Sequence, residues 1–137
     1  MNRTLLAGVA LMALVAASLM AGCGGAEPLT DARVTMHRSR FTPARLTVPA
    51  GVPVTFELRN DDPIEHEWII GAEATHARHR TGTEPHHGAI PTEVSVAAYT
   101  TIRTTITFDK PGEYTYICHL PGHEAYGMKG TVTVVET

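Results

Sequence analysis

The chain has 137 residues, with 14 acidic and 11 basic side chains, eight histidines, two cysteines and a formal charge of -3. One domain of ordinary size fits that length, and the charge balance gives no support for a nucleic-acid binder, which normally carries a basic face. Apolar residues make up 43% and charged residues 18%, enough for a core and too few charges for a disordered chain.

The chain opens with Arg3 and an apolar run from Leu5 to Met20. A run this short after one positive charge reads as the core of an export signal, since a bilayer span needs about 20 residues. Met20-Ala21-Gly22-Cys23 resembles the lipobox of bacterial lipoproteins, with Met20 where leucine is usual. That resemblance implies cleavage after residues 1–22 and a lipid on Cys23 that anchors the protein to the bacterial cell envelope, on its periplasmic or outer face. An uncleaved signal anchor and a soluble secreted form are the alternatives. Residues 23–31, with Gly24, Gly25 and Pro28, read as a tether and residues 32–137 as the domain. Once Cys23 carries lipid, Cys118 is the remaining thiol in a compartment that favours disulfides. It must then be buried, capped or coordinated.

Val34 and Met36, then Phe41, alternate loosely with polar residues, and Leu46 with Val48 and Val52 to Leu58 alternate cleanly. A period of two marks strands with one buried face. Breaks fall at Pro43, at Pro49-Ala50-Gly51 and at Asn60-Asp61-Asp62-Pro63. Further strands are predicted at Trp68 to Ile70, Ala98 to Phe108, Tyr114 to Cys118 and Met128 to Val135, and no segment carries the pattern of a long amphipathic helix. About seven short strands separated by turns predict an all-β sandwich.

The segment from Gly71 to Pro91 breaks this rhythm and reads as one long His-rich loop. His76, His79, His86 and His87 make it either a solvated excursion or an auxiliary metal site. His76 and His79 would share a side only if their segment were helical. His37 and His119 read as packed or surface residues.

Cys118, His123 and Met128 follow one another with four residues between each pair, on a strand, a Pro/Gly-rich turn and the next strand. Thiolate, imidazole and thioether are donors that suit copper, and two imidazoles with a thiolate and a distant Met form the blue-copper set. The second imidazole has to come from elsewhere, and His66, at the start of a strand after the Asn60 to Pro63 turn, is the candidate. Four protein ligands leave no open position for substrate, which favours electron transfer over catalysis.

These motifs resemble the cupredoxins of the plastocyanin/azurin type. Phe41-Thr42-Pro43 with Leu46 to Gly51 resembles the family's early strands. Asn60 through His66 and Trp68 resembles the segment bearing the first copper histidine, and Cys118, His123 and Met128 resemble the ligand loop. The resemblance implies a Greek-key β-sandwich that holds one type 1 copper ion on His66, Cys118, His123 and Met128. It implies a monomeric electron carrier, not an enzyme, that docks redox protein partners near His123, where Leu120, Pro121 and Ala125 form an apolar rim. Storage, delivery or sensing of copper is the alternative, and a metal-independent binding module a third. Glu67 stands where the family commonly has an Asn that ties the ligand loops together. A dinuclear centre would need a second thiolate where Gly122 stands.

Overall fold

The computed structural model describes residues 27–83 and 89–136, so the 1–22 leader, Cys23, His86 and His87 lie outside the described residues. Among the described residues nine strands and one helix follow in order: β1 (Asp31–Met36), β2 (Phe41–Thr42), β3 (Arg45–Pro49), β4 (Pro53–Asn60), β5 (His66–Gly71), α1 (Glu73–Thr81), β6 (Glu93–Val96), β7 (Thr101–Thr107), β8 (Gly112–Ile117) and β9 (Lys129–Val135). The fold takes hold before β1, since the Leu29 N–H already donates to the Thr47 carbonyl at 2.9 Å. No helix among the described residues is long and apolar enough to cross a membrane.

The alternation in β4 does what its period requires. Val54, Phe56 and Leu58 turn inward while Thr55, Glu57 and Arg59 face outward. Two sheets result, ordered β2-β1-β4-β7 and β3-β9-β8-β5-β6. β1 runs parallel to β4 and β3 parallel to β9, and the other pairs are antiparallel. Between the sheets Phe56 packs on Trp68, Trp68 on Tyr116 and Tyr116 on Phe41, with ring centroids 5.0, 5.9 and 5.1 Å apart. Each such aromatic pair adds about 0.5–1.5 kcal/mol beyond its area burial. The predicted all-β sandwich is therefore the fold.

The 71–91 segment differs from the expected irregular loop, because Glu73–Thr81 is helical. The sequence hides this helix: its one fully buried side chain is His76, so no apolar stripe marks the packed face. α1 lies on β5 and accounts for the uninterrupted apolar run in that strand. Trp68 and Ile70 enter the main core, while Ile69, paired in register with Ile117, is buried on the opposite face. β6 was also invisible in the pattern, being four residues (Glu93–Val96) of which only Val96 is fully buried.

Candidate metal centre

β8 and β9 form a hairpin whose register ends at Ile117 opposite Lys129. Cys118 and Met128 therefore leave the ladder together, and the Cys118 N–H donates to the Met128 carbonyl at 3.2 Å. The loop between them closes on itself. The His123 N–H donates to Leu120 O and the Met128 N–H to His123 O, both at 3.0 Å. Gly122 and Gly127, at φ 83° and 89°, supply the two left-handed positions of this turn. Cys118 and Met128 are fully buried, and His123 is half-buried.

His66 arrives from the other ligand segment as the first residue of β5 and is fully buried. Its Nδ1 lies 3.3 Å from His123 Nδ1, which in turn lies 3.2 Å from Cys118 Sγ. Among the described residues, His66, Cys118 and His123 are the set whose donor atoms all fall within 4.8 Å of one another. The sequence names Cys118 and His123 by their spacing and His66 by its place at the head of a strand after a polar turn, and Met128 closes the same loop. These donors fit copper: one sulfur and two imidazole nitrogens converge at a buried point beside a buried thioether residue.

Protonation supports this arrangement. His66 Nε2 lies 2.8 Å from Asp62 Oδ2, so that nitrogen carries the hydrogen and Nδ1 keeps its lone pair for a metal. Burial acts to raise the Asp62 carboxyl, but the N–H groups of Ser39 and Arg38 at 2.8 and 2.7 Å, together with His66, hold it below the ordinary carboxylate value. Burial, followed by the closeness of His66, lowers His123, which is therefore neutral at pH 7. Burial raises the Cys118 thiol despite N–H groups from Glu67 and Leu120, so binding a metal there displaces a proton.

Asp62 escaped sequence reasoning because it sits in a cluster that reads as a turn. The signal was its spacing, four residues ahead of His66. Asn60, also buried, binds the two ends of this segment: its Nδ2 donates to the carbonyls of Ile64 and Val96, and its Oδ1 accepts from the Asp62 N–H. The departure at Glu67 leaves one link between the ligand segments intact, since the sulfur accepts from the Glu67 backbone N–H at 3.4 Å, whatever the side chain.

The predicted auxiliary histidines divide. His76 and His79 lie on α1, and what they meet is His119, which is packed with its side chain 6% exposed. His76 Nδ1 stands 3.0 Å from His119 Nε2, and the His79 and His119 rings stack at 5.2 Å and 8°. Burial, followed by nearby His76, lowers His119 to about 4. Burial lowers His76 as well, so both rings are neutral at pH 7. His37 is 55% exposed, with Nδ1 3.6 Å from Asp62 Oδ1.

Known proteins bear on this geometry. The profile of the cupredoxin-like domain matches residues 9–134. The copper-resistant cuproprotein CopI of Rubrivivax gelatinosus is 37% identical over 106 residues, covering 74% of this chain and 64% of that protein. Auracyanin-B of Chloroflexus aurantiacus is 30% identical over 119 residues, covering 76% of this chain and 51% of that protein. The chain thus spans between half and two thirds of the length of these relatives. Among solved structures, the auracyanin of Roseiflexus castenholzii superimposes with a TM-score of 0.67 at 24% identity, covering 79% of this chain and 98% of that one, which speaks to the fold. With this sandwich and this donor set in place, the chain belongs to the cupredoxin-like domain family and its cofactor is copper.

Proposed function

We propose that this cupredoxin is an electron carrier. Copper, when bound, supplies a one-electron couple. The protein's part is to hold the donors still: Asp62 orients His66, the Glu67 N–H orients the sulfur, and the closed hairpin loop positions His123. The observation that carries the reading is the burial pattern. His66, Cys118 and Met128 are fully covered and only His123 is half-open, so the site admits no substrate and places one ring edge near the surface. Leu120, Pro121 and Ala125, in the same loop as His123, offer a small docking face to a redox protein, in keeping with the weak interfaces of such encounters.

Copper handling, as storage or delivery, is the second reading, favoured by the similarity to CopI. Voltammetry and chelator competition on the copper-loaded protein separate the two. A carrier gives a reversible one-electron wave and keeps its metal, whereas an irreversible wave with ready loss to a mild chelator refutes the carrier reading. Loss of the thiolate charge-transfer colour in Cys118→Ser checks the ligand itself. We place the protein in the bacterial envelope, held by a lipid on Cys23; fatty-acid labelling that is equal in wild type and Cys23→Ser refutes the anchor.

A further inference from the structure

The second histidine cluster adjoins the copper centre through a single peptide bond, since His119 follows Cys118. His76 Nε2 lies 3.0 Å from the Thr115 carbonyl. A carbonyl only accepts, so Nε2 carries the hydrogen of this neutral ring and the Nδ1 lone pair points at His119 Nε2, 3.0 Å away. On the far side of His119, Nδ1 stands 3.7 Å from Glu124 Oε2. Each ring thus turns one nitrogen inward; behind the other, His76 has the Thr115 carbonyl as acceptor, while His119 faces Glu124 beyond hydrogen-bond distance, that carboxylate accepting instead from Arg80 at 2.7–3.1 Å. A carbonyl acceptor in that place is what orients a metal-bound imidazole.

The spacing of the inward pair also suits a metal. With metal–nitrogen bonds of about 2.0–2.1 Å, two nitrogens 3.0 Å apart subtend roughly a right angle at a shared ion. That is the angle between neighbouring ligands in tetragonal copper(II). His79, stacked on His119 with its Nε2 3.2 Å from Glu93 Oε2, flanks the pair. A cleft of about 500 Å³ lined by His79, Arg80, His119 and Glu124 reaches the Glu124 side of His119 from the surface, with Arg80 paired to Glu73 and Glu124.

We propose that His76 Nδ1 and His119 Nε2 bind a second metal ion, a borderline divalent cation such as copper(II), with water in its remaining positions. Without an ion, His119 donates the hydrogen shared by the two nitrogens. On binding, that hydrogen moves to His119 Nδ1, the nitrogen on the side of Glu124, and no net proton is released. The site is independent of whether the thiolate centre carries electrons or stores copper.

The test is a copper(II) titration of the full-length chain already charged with one equivalent, followed by metal analysis after dialysis and by electron paramagnetic resonance. Wild type is expected to hold two ions, the second giving a nitrogen-ligated copper(II) signal with no added thiolate absorption. His76→Gln and His119→Gln are each expected to hold the second ion at least tenfold more weakly while the thiolate band persists, that band serving as the measure of an intact fold. If the buried His76→Gln loses the band, His119→Gln, at the cleft, decides the matter. A single ion in wild type overturns the proposal. So does a second ion bound equally well by His119→Gln, which assigns it elsewhere, for example to His86 and His87.

Discussion

Asp62→Asn isolates the role of one carboxylate. Asp62 Oδ2 accepts from both Ser39 N and His66 Nε2 at 2.8 Å, and Oδ1 accepts from Arg38 N at 2.7 Å. An amide offers one acceptor and one donor. If its oxygen takes the Oδ2 place, the NH2 group confronts the Arg38 N–H and that bond is lost, costing about 2 kcal/mol as a hydrogen bond to a charged group. If the amide is reversed, its NH2 drives the His66 hydrogen onto Nδ1, the nitrogen that must face the metal. Either way His66 loses its anionic partner. Removal of such a supporting group costs about 10–100-fold in metal affinity, or about 1.4–2.7 kcal/mol. The assay is competition for copper against a chelator of known affinity, read by the thiolate band, with a thermal melt of the metal-free protein alongside. An Asp62→Asn protein that binds copper as tightly as wild type refutes the claim that this carboxylate sets the tautomer of His66.

Gly130→Ala should cost about 2–3 kcal/mol by overpacking, because a Cβ there overlaps the ring of Tyr116, which is fully buried and donates its hydroxyl to the Pro43 carbonyl at 2.6 Å. Urea unfolding measures it, and an unchanged midpoint contradicts the packing argument. Metal-free protein should lose stability between pH 7 and 5. His119 falls from 6.5 to about 4 on folding, so the unfolded chain binds more protons in that interval and stability drops as pH falls, by about 2 kcal/mol at pH 5. His76, also lowered, adds in the same direction. Asp62 and Glu124, lowered carboxylates, act below that window. Thermal melts at the two pH values check the sign, and a higher melting temperature at pH 5 would contradict it.

The strands of the sandwich were legible because each exposes one face, so a period of two is written into segments such as β4. The Cys118, His123 and Met128 trio was legible for a related reason: the loop is local, and a hairpin that pairs Ile117 with Lys129 must bring its two ends together. His66 lies 57 residues from His123, yet its place after a polar turn and at the head of a strand gave it away. Asp62 was harder, since turn-forming and metal-orienting aspartates look alike until one asks what the carboxylate accepts.

By itself the sequence determined the two-faced strands and the Cys118, His123 and Met128 trio, because both depend on neighbours close along the chain. The tertiary structure decided what surrounds them. α1 has no apolar stripe to announce its packing, and only the closure of this helix over β5 brings His76 against His119, 43 residues away. Local periodicity reports which face of a segment is buried, but not which polar groups from distant segments share that buried space. That depends on how the covering layers dock, and here it turned an expected His-rich loop into a wall of imidazoles beside the copper thiolate.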